Sequence, residues 1–284
     1  MTIAVGAPDG LTFNEWLDRV CRQRKTQLCV GLDPDAERIR AIKGHPAAPS
    51  HELCVRAMFT AASASAAYAA AFKPNAAFFE ALERNEPLMR RVGHYLAENF
   101  AGVIGLCDAK RGDIGNTSDR YAEAVFEHQK FDAVTVNPLM GTDAVEPFLR
   151  DKTRGVFLLC LTSNPGADDF LLRDELYLRI AEKATQWNTN GNVGLVVGAT
   201  RPEYLQRVRE VAPELSLLIP GVGAQGGKLK ETLDAIGAQS NRRFLINASR
   251  SVLYPQGATW ETYARLVGEA ARQLRDEINA ELGE

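Results

Sequence analysis

Three ionisable residues in the segment 106–117 have the types and the spacing to carry out chemistry. Asp108, Lys110 and Asp113 follow an apolar run at 102–107 that predicts a buried strand. Because side chains alternate between the two faces of a strand, Asp108 and Lys110 should point the same way, whereas Asp113 lies on a glycine-flanked loop. Removing charged side chains from water at the end of a buried strand costs free energy unless the charges pair. They indicate either a structural ion pair at a barrel rim or a charged catalytic array.

Apolar segments that could position these residues recur along the whole chain. The predicted strands are 28–32, 69–72, 102–107, 133–136, 156–161, 193–197, 215–219 and 244–246. Segments with helical periodicity alternate with them, which predicts a parallel sheet in an α/β protein. Eight repeats within 284 residues favour a closed (β/α)8 TIM barrel over an open sheet, with residues 1–284 forming one domain.

Two capping boxes predict where helices begin. Thr12 and Glu15 have the required spacing, so an extra N-terminal helix should precede the first strand. Thr200 and Glu203 have the same spacing, and Pro202 between them is tolerated in a first helical turn.

Composition argues against several classes of protein. The formal net charge is −3 and no basic stripe is present, so nucleic acid is not expected as a partner. No apolar run approaches the ~20 residues of a membrane span, and residues 1–10 lack the regions of a signal peptide. The five cysteines form no CxxC pair, and the four histidines have no metal-like spacing. These features predict a cytoplasmic protein with reduced thiols, no membrane contact and no metal site.

Polar residues gather where the predicted strands end. These residues are Asp33, Lys73, Asp108, Lys110, Ser163, Gln225 and Arg250. In a barrel of this kind the carboxyl ends of the strands form one mouth, where active sites are found. The repeated placement is more specific than any single residue and predicts one shared site.

The last two strand ends suggest a grip for phosphate. The glycine-rich run 221–227 offers free N–H groups and close backbone approach, and Arg250 offers a bidentate guanidinium. The alternative is that the glycines only make a turn and Arg250 only caps a helix. The combination at the seventh and eighth strand ends favours phosphate, because barrels often hold phosphate there.

These motifs together resemble the orotidine 5′-phosphate decarboxylase family. The resemblance rests on Asp108-x-Lys110-x-x-Asp113, on the preceding Lys73, on the run Pro-Gly-Val-Gly-Ala-Gln-Gly-Gly at 220–227, and on an arginine after the eighth strand. The variants Phe-Lys-Pro-Asn at 72–75, Thr-Ser-Asn-Pro-Gly at 162–166 and Asn-Ala-Ser-Arg at 247–250 resemble its bacterial type 2 branch. The similarity spans about residues 31–254. It implies conversion of orotidine 5′-monophosphate to uridine 5′-monophosphate and CO2 in pyrimidine synthesis, with neither a metal nor an organic cofactor.

The resemblance also implies roles for single residues. The charged catalytic array would be Lys73, Asp108, Lys110 and Asp113, and Lys110 would donate the proton to C6 of the pyrimidine. Asp113 and Thr117 would cross to the site of the other subunit, so a homodimer is expected.

The remaining implied roles are contacts to the substrate. Asp33 and Lys73 would contact the ribose, and Ser163 would contact the pyrimidine ring. The groups that would hold the phosphate are Gln225, Arg250 and the backbone at Ser249. The glycine-rich run would then act as a lid, because phosphate binding far from C6 can drive loop closure.

The residue types suit this chemistry. Loss of CO2 from C6 leaves a carbanion in the ring plane, which a fixed ammonium can stabilise and then protonate. Lys110 can do both, and the carboxylates of Asp108 and Asp113 would keep it charged.

Two other functions remain possible at this point. A sister barrel with the same motif could be a magnesium-dependent sugar-phosphate decarboxylase or synthase, but that site would need another carboxylate in the place of Lys73. A non-catalytic phosphate-binding barrel would be expected to have lost part of the charged array, and all four members are present.

Overall fold

The strands of the chain close into one parallel barrel. The computed structural model describes residues 5–83, 87–223 and 227–284. Its strands are β1 Leu28–Leu32, β2 Ala71–Pro74, β3 Ile104–Arg111, β4 Ala133–Val136, β5 Gly155–Leu161, β6 Val193–Val197, β7 Ser216–Pro220 and β8 Phe244–Ala248. They are hydrogen-bonded in sequence order, and β8 pairs with β1 to complete the ring. The predicted (β/α)8 fold is therefore confirmed.

Helices surround the barrel, and a helix precedes the first strand as predicted. The α-helices are α1 Phe13–Arg24, α2 Ala36–Arg40, α3 Ser50–Ser65, α4 Ala76–Glu80, α5 Leu88–Asn99, α6 Gly115–Glu123, α7 Thr142–Leu149, α8 Ala167–Phe170, α9 Leu176–Trp187, α10 Pro202–Val211, α11 Leu229–Ala235, α12 Arg250–Leu253 and α13 Tyr263–Leu282. A π-helical turn, Ala124–His128, continues α6, and 3-10 turns occupy Arg173–Glu175 and Asn188–Asn190. Within the ranges given above, no helix is both long enough and apolar enough to cross a bilayer.

Four strands extend further at their carboxyl ends than the sequence predicts. The prediction ended β2, β3, β7 and β8 at residues 72, 107, 219 and 246, whereas they continue to Pro74, Arg111, Pro220 and Ala248. The ladder explains the extension, because Gly31 pairs with Lys73 and Pro220 pairs with Asn247. Backbone hydrogen bonds to neighbouring strands therefore include these polar residues in the strands, and the sheet fixes the positions of their Cα atoms.

One of the two predicted capping boxes is present. Thr12 caps α1: its Oγ1 accepts the Glu15 N–H, and its own N–H donates to Glu15 Oε2 at 2.8 Å. The second box is wrong, because α10 has Arg201 at its N-cap and no side-chain cap bond. The predicted Pro202 is nevertheless the first residue of α10, where its missing N–H costs nothing.

Helix α1 closes the amino-terminal end of the barrel. The Phe13 ring is buried and lies edge-on to Phe157, with 6.1 Å between ring centroids. A Cβ at Gly155 would lie 2.4 Å from the Phe13 ring, so only glycine admits this contact. The carboxylate of Asp132 accepts the N–H of Gly6 at 2.6 Å, which ties the preceding segment to the same end. The opposite, carboxyl-terminal end of the barrel is not covered by α1, and the polar residues that follow the strands lie there.

Candidate active site

A cavity of about 570 Å³ lies at the carboxyl ends of the strands. This volume is in the range of small-molecule sites. The residues predicted for the site that line it are Asp33, Lys73, Asp108, Lys110, Ser163, Ser249 and Arg250. The barrel therefore brings together residues from five different strand ends, as the sequence pattern predicts.

Asp108 is the centre of the charged group in this cavity. Its Oδ2 accepts a hydrogen bond from Lys73 Nζ at 2.6 Å, and its Oδ1 accepts one from Lys110 Nζ at 2.6 Å. The side chains of Lys73 and Asp108 are 6% and 11% exposed, whereas that of Lys110 is 46% exposed. One ammonium is thus buried with the carboxylate, and the other is open to a ligand in the cavity.

The pKa shifts follow from this pairing. Burial alone would lower the pKa of Lys73, but the attraction of Asp108 and then Asp33 outweighs burial and raises this pKa above the ordinary value. Burial would raise the pKa of Asp108, but Lys73 and Lys110 outweigh it and hold this pKa well below its usual range. Asp108 and Lys73 therefore stay charged throughout the neutral pH range.

Lys110 occupies an irregular part of β3. Its φ is +49°, in the left-handed region that residues with side chains rarely adopt. The register between β3 and β4 shifts between Cys107 and Arg111, so the pairing of the two strands is irregular at this point. Irregular strand geometry of this kind is common near active sites, where it can redirect a side chain.

The ends of β1 and β8 meet on another side of the cavity. Ser249 Oγ donates to Asp33 Oδ2 at 2.6 Å. A Cβ at Gly31 would lie 2.8 Å from the Ser249 Cβ, so this approach requires glycine. The Tyr254 hydroxyl donates to the Asp33 carbonyl and accepts the Asp35 N–H, both at 2.8 Å. Burial raises the pKa of Tyr254, which keeps this hydroxyl protonated.

Ser163 and Arg250 reach the cavity from the loops after β5 and β8. Ser163 lies two residues beyond β5, and Arg250 is the first residue of α12. The short loop between β7 and α11 is drawn together at its base, because the Gly227 N–H donates to the Gly221 carbonyl at 3.1 Å. Gln225, for which the resemblance implies a contact to the phosphate, lies outside the described residues.

Asp113 and Thr117 do not line this cavity. Asp113 is half-buried, and its Oδ1 accepts the N–H of Ile114 at 2.8 Å. Thr117 is exposed on α6. The last carboxylate of the Asp-x-Lys-x-x-Asp motif is therefore outside the cavity that the other two charges line.

The sequence reasoning missed several residues that line the cavity, among them the hydroxyl-bearing Thr135 and Tyr254. Thr135 lines the cavity from β4 and is buried, and Tyr254 lines it from beyond α12. A hydroxyl within the apolar strand Ala133–Val136 is a visible signal, although the sequence does not say which face it occupies. Tyr254 lies beyond any strand end, and its bond to Asp33 spans 221 positions.

Across the described ranges, no group of three or more His, Cys, Asp or Glu side chains could hold a metal ion.

Comparison with known proteins agrees with the geometry. The family model described as the orotidine 5′-phosphate decarboxylase / HUMPS family matches residues 26–259. The chain belongs to this family. The matched region begins before β1 and ends beyond β8, so it includes every strand that lines the cavity. The resemblance predicted from the motifs is confirmed.

Individual relatives of the orotidine 5′-phosphate decarboxylase / HUMPS family are similar over nearly their whole length. The orotidine 5′-phosphate decarboxylase of Janthinobacterium sp. (strain Marseille) is 44% identical over 95% of this chain and 98% of that protein. The orotidine 5′-phosphate decarboxylase of Roseiflexus castenholzii is 44% identical over 96% of this chain and 99% of that protein. The structure of Leishmania donovani OMP decarboxylase is similar with a TM-score of 0.79 and 38% identity, covering 96% of this chain and all of that one.

Proposed function

We propose that this protein decarboxylates orotidine 5′-monophosphate to uridine 5′-monophosphate and CO2 in pyrimidine biosynthesis. The observation that carries the proposal is the pair of lysines on Asp108 at the mouth of the barrel, in a chain of this family. The reaction needs a cation beside C6 where negative charge develops, and Lys110 offers an ammonium that is open to the cavity. We infer that neither a metal nor an organic cofactor takes part.

The proposed chemistry at C6 has two steps. The bond between C6 and the carboxylate breaks, CO2 leaves, and the electron pair stays on C6. The Lys110 ammonium then gives its proton to C6 and is left as a neutral amine, which a solvent proton recharges. Asp108 holds the ammonium in place through the 2.6 Å bond to Lys110 Nζ.

The other cavity residues are proposed to bind the substrate. Arg250 and the Ser249 backbone would hold the phosphate together with Gln225, because a guanidinium and backbone N–H groups suit phosphate oxygens. Asp33 and Lys73 would contact the ribose. Ser163 would contact the pyrimidine ring. Phosphate binding far from C6 can contribute to orientation of the reacting bond, as expected when remote binding energy serves catalysis.

We infer that the protein is a homodimer in which Asp113 and Thr117 serve the partner's site. Four of the exposed large hydrophobic residues in the described ranges follow β2, β3 and β4, at the same end of the barrel as the cavity; these are Phe78, Ile114, Leu139 and Met140. Phe78 also lines the cavity. Exposed apolar side chains gathered at one end of a molecule favour an interaction surface there.

Subunit mixing tests the shared site. Lys110→Ala and Asp113→Ala subunits are each expected to have low activity, because each substitution affects every site of its own homodimer. In a mixed dimer one site would carry both substitutions and the other neither. Dissociating and reassociating equal amounts should therefore restore about one quarter of wild-type turnover.

The matched control for subunit mixing is Lys110→Ala with Asp108→Ala. Both residues line the cavity of their own subunit, so every mixed site keeps one substitution and activity should not return. If the Asp113→Ala mixture also stays inactive, Asp113 does not act across the interface.

We also infer that residues 1–284 form one domain and that the protein works in the cytoplasm. The last helix, α13, packs closely on α3, because a Cβ at Gly268 would lie 3.0 Å from the Ala64 carbonyl oxygen. Asn279 of α13 donates to the Lys25 carbonyl at 3.0 Å, which joins the last helix to the end of α1. The five cysteines are buried free thiols, which suits a reducing compartment.

The proposed reaction is tested by mixing purified protein with orotidine 5′-monophosphate in EDTA. We expect rapid loss of the ultraviolet absorption band of the orotate ring and formation of uridine 5′-monophosphate. If turnover appears only when magnesium and a sugar phosphate are supplied, the magnesium-dependent alternative replaces the proposed function. Tight binding of uridine 5′-monophosphate without turnover would instead indicate a binding protein.

A further inference from the structure

Thr135 is a buried hydroxyl that contacts both charged residues of the motif. It lies on β4 and is 1% exposed. Its Oγ1 accepts the backbone N–H of Lys110 at 2.9 Å and donates to Asp108 Oδ1 at 3.0 Å. One hydroxyl therefore joins the carboxylate of Asp108 to the backbone of the lysine two positions further along.

The hydrogen bond from the Lys110 N–H to Thr135 lies where the regular β3–β4 pairing is interrupted. The β3–β4 register is interrupted between Cys107 and Arg111, and Lys110 has a φ of +49°. Its N–H donates to the Thr135 side chain. A buried N–H without an acceptor is unfavourable, so the hydroxyl supports the unusual backbone conformation that directs the lysine side chain.

The contact to Asp108 controls the rotation of its carboxylate. Oδ1 accepts from both Lys110 Nζ and Thr135 Oγ1, while Oδ2 accepts from Lys73 Nζ. The donor from Thr135 comes from a neighbouring strand and does not move with either lysine. It therefore favours the one carboxylate orientation in which each oxygen faces its own ammonium.

We propose that Thr135 is a positioning residue that holds Asp108 and Lys110 in the geometry required for proton delivery. The assignment rests on the proposed decarboxylase function and adds a residue to it. Thr135 acts through the two charged residues, so its loss should affect the chemical step more than ligand binding. A displacement of about 1 Å in a catalytic group can cost about 10²-fold in rate.

The test is a set of substitutions that separates the hydroxyl from the volume of the side chain. Thr135→Val keeps the shape and removes the hydroxyl, and Thr135→Ser keeps the hydroxyl. We expect Thr135→Val to lower kcat by about 10²-fold while the Kd for uridine 5′-monophosphate changes less than about threefold. Thr135→Ser should stay within about threefold of wild-type kcat. Thr135→Ala removes the hydroxyl without placing a methyl group beside Asp108, and it should lower kcat as much as Thr135→Val does.

Thr26 provides a matched control at the other end of the barrel. It is fully buried, its Oγ1 donates to the Tyr68 carbonyl at 2.8 Å, and it accepts the Leu28 N–H at 3.0 Å. Thr26→Val therefore removes the same kind of hydroxyl far from the cavity. We expect a lower Tm with unchanged kcat.

Several results would overturn the assignment. Thr135→Val and Thr135→Ala with kcat within twofold of wild type would show that the hydroxyl has no role in turnover. Thr135→Ser as impaired as Thr135→Val, or a Kd that weakens as much as kcat falls, would indicate general damage to the fold. A wild-type protein that does not consume orotidine 5′-monophosphate would overturn the proposed function itself, and this assignment with it.

Discussion

Lys110→Ala is expected to lower kcat by at least about 10⁴-fold, because it removes both the charge beside C6 and the proton donor. General acid catalysis and electrostatic stabilisation each contribute about 10²-fold or more in enzymes. The substitution should leave the fold intact, since the Lys110 side chain is 46% exposed and Asp108 keeps its bond to Lys73. The measurement is the rate of loss of orotate absorbance, beside the Kd for uridine 5′-monophosphate.

The matched control for this substitution is Lys25→Ala. Lys25 also has a left-handed backbone, with a φ of +50°, and it is exposed at the end of α1. It therefore reproduces the backbone effect of the change without touching the cavity, and kcat should be unchanged. If Lys110→Ala keeps kcat within tenfold of wild type, another group delivers the proton and the proposed chemistry at C6 is wrong.

Asp108→Asn is expected to lower the free energy of unfolding by about 3 kcal/mol at neutral pH, because it leaves a buried ammonium without its carboxylate. The Lys73 side chain is only 6% exposed, and its ammonium lies 2.6 Å from Asp108 Oδ2. In the variant this ammonium would face a neutral amide in place of a carboxylate. Asp33, which also attracts Lys73, offsets part of this loss. Activity should fall as well, since Lys110 loses the carboxylate that fixes it. Urea unfolding at pH 7 measures the change in stability.

The effect of Asp108→Asn should depend on pH in a definite direction. In the wild type, the pKa of Asp108 is lowered and that of Lys73 is raised by the pairing. The pairing therefore stabilises the folded state between the unfolded pKa values of about 3.9 and 10.4, and this contribution is lost below or above that range as each folded pKa is passed. In the variant, burial lowers the pKa of Lys73. The difference between the two proteins should therefore be largest near pH 7 and smaller near pH 10.

An exposed ion pair serves as the control for stability. Lys230 donates to Asp234 at 2.8 Å on α11, and both side chains are more than 60% exposed. Asp234→Asn should change the free energy of unfolding by less than about 1 kcal/mol at every pH, because solvent screens such pairs. If Asp108→Asn is no more destabilising than Asp234→Asn at pH 7, the buried pairing does not contribute to stability.

The sequence by itself determined the barrel and most of its charged mouth. Eight apolar runs alternate with amphipathic segments, and burial on both faces leaves few arrangements other than a closed parallel barrel. Asp33, Lys73, Asp108 and Lys110 could be assigned to one site because parallel strands in a barrel share one carboxyl-terminal end. Strand periodicity alone also predicted that Asp108 and Lys110 face the same way, and both line the cavity.

Only the tertiary structure decided how these groups are held. Thr135 bonds to Asp108 across 27 positions, and Tyr254 bonds to Asp33 across 221. Local propensity contains no information on such bonds, because they depend on which strands become neighbours and on their register. The irregular β3–β4 pairing, the left-handed backbone of Lys110 and the absence of Asp113 from the cavity lining arise in the same way. Residue types therefore specified the chemistry available at the mouth, whereas strand pairing specified its geometry.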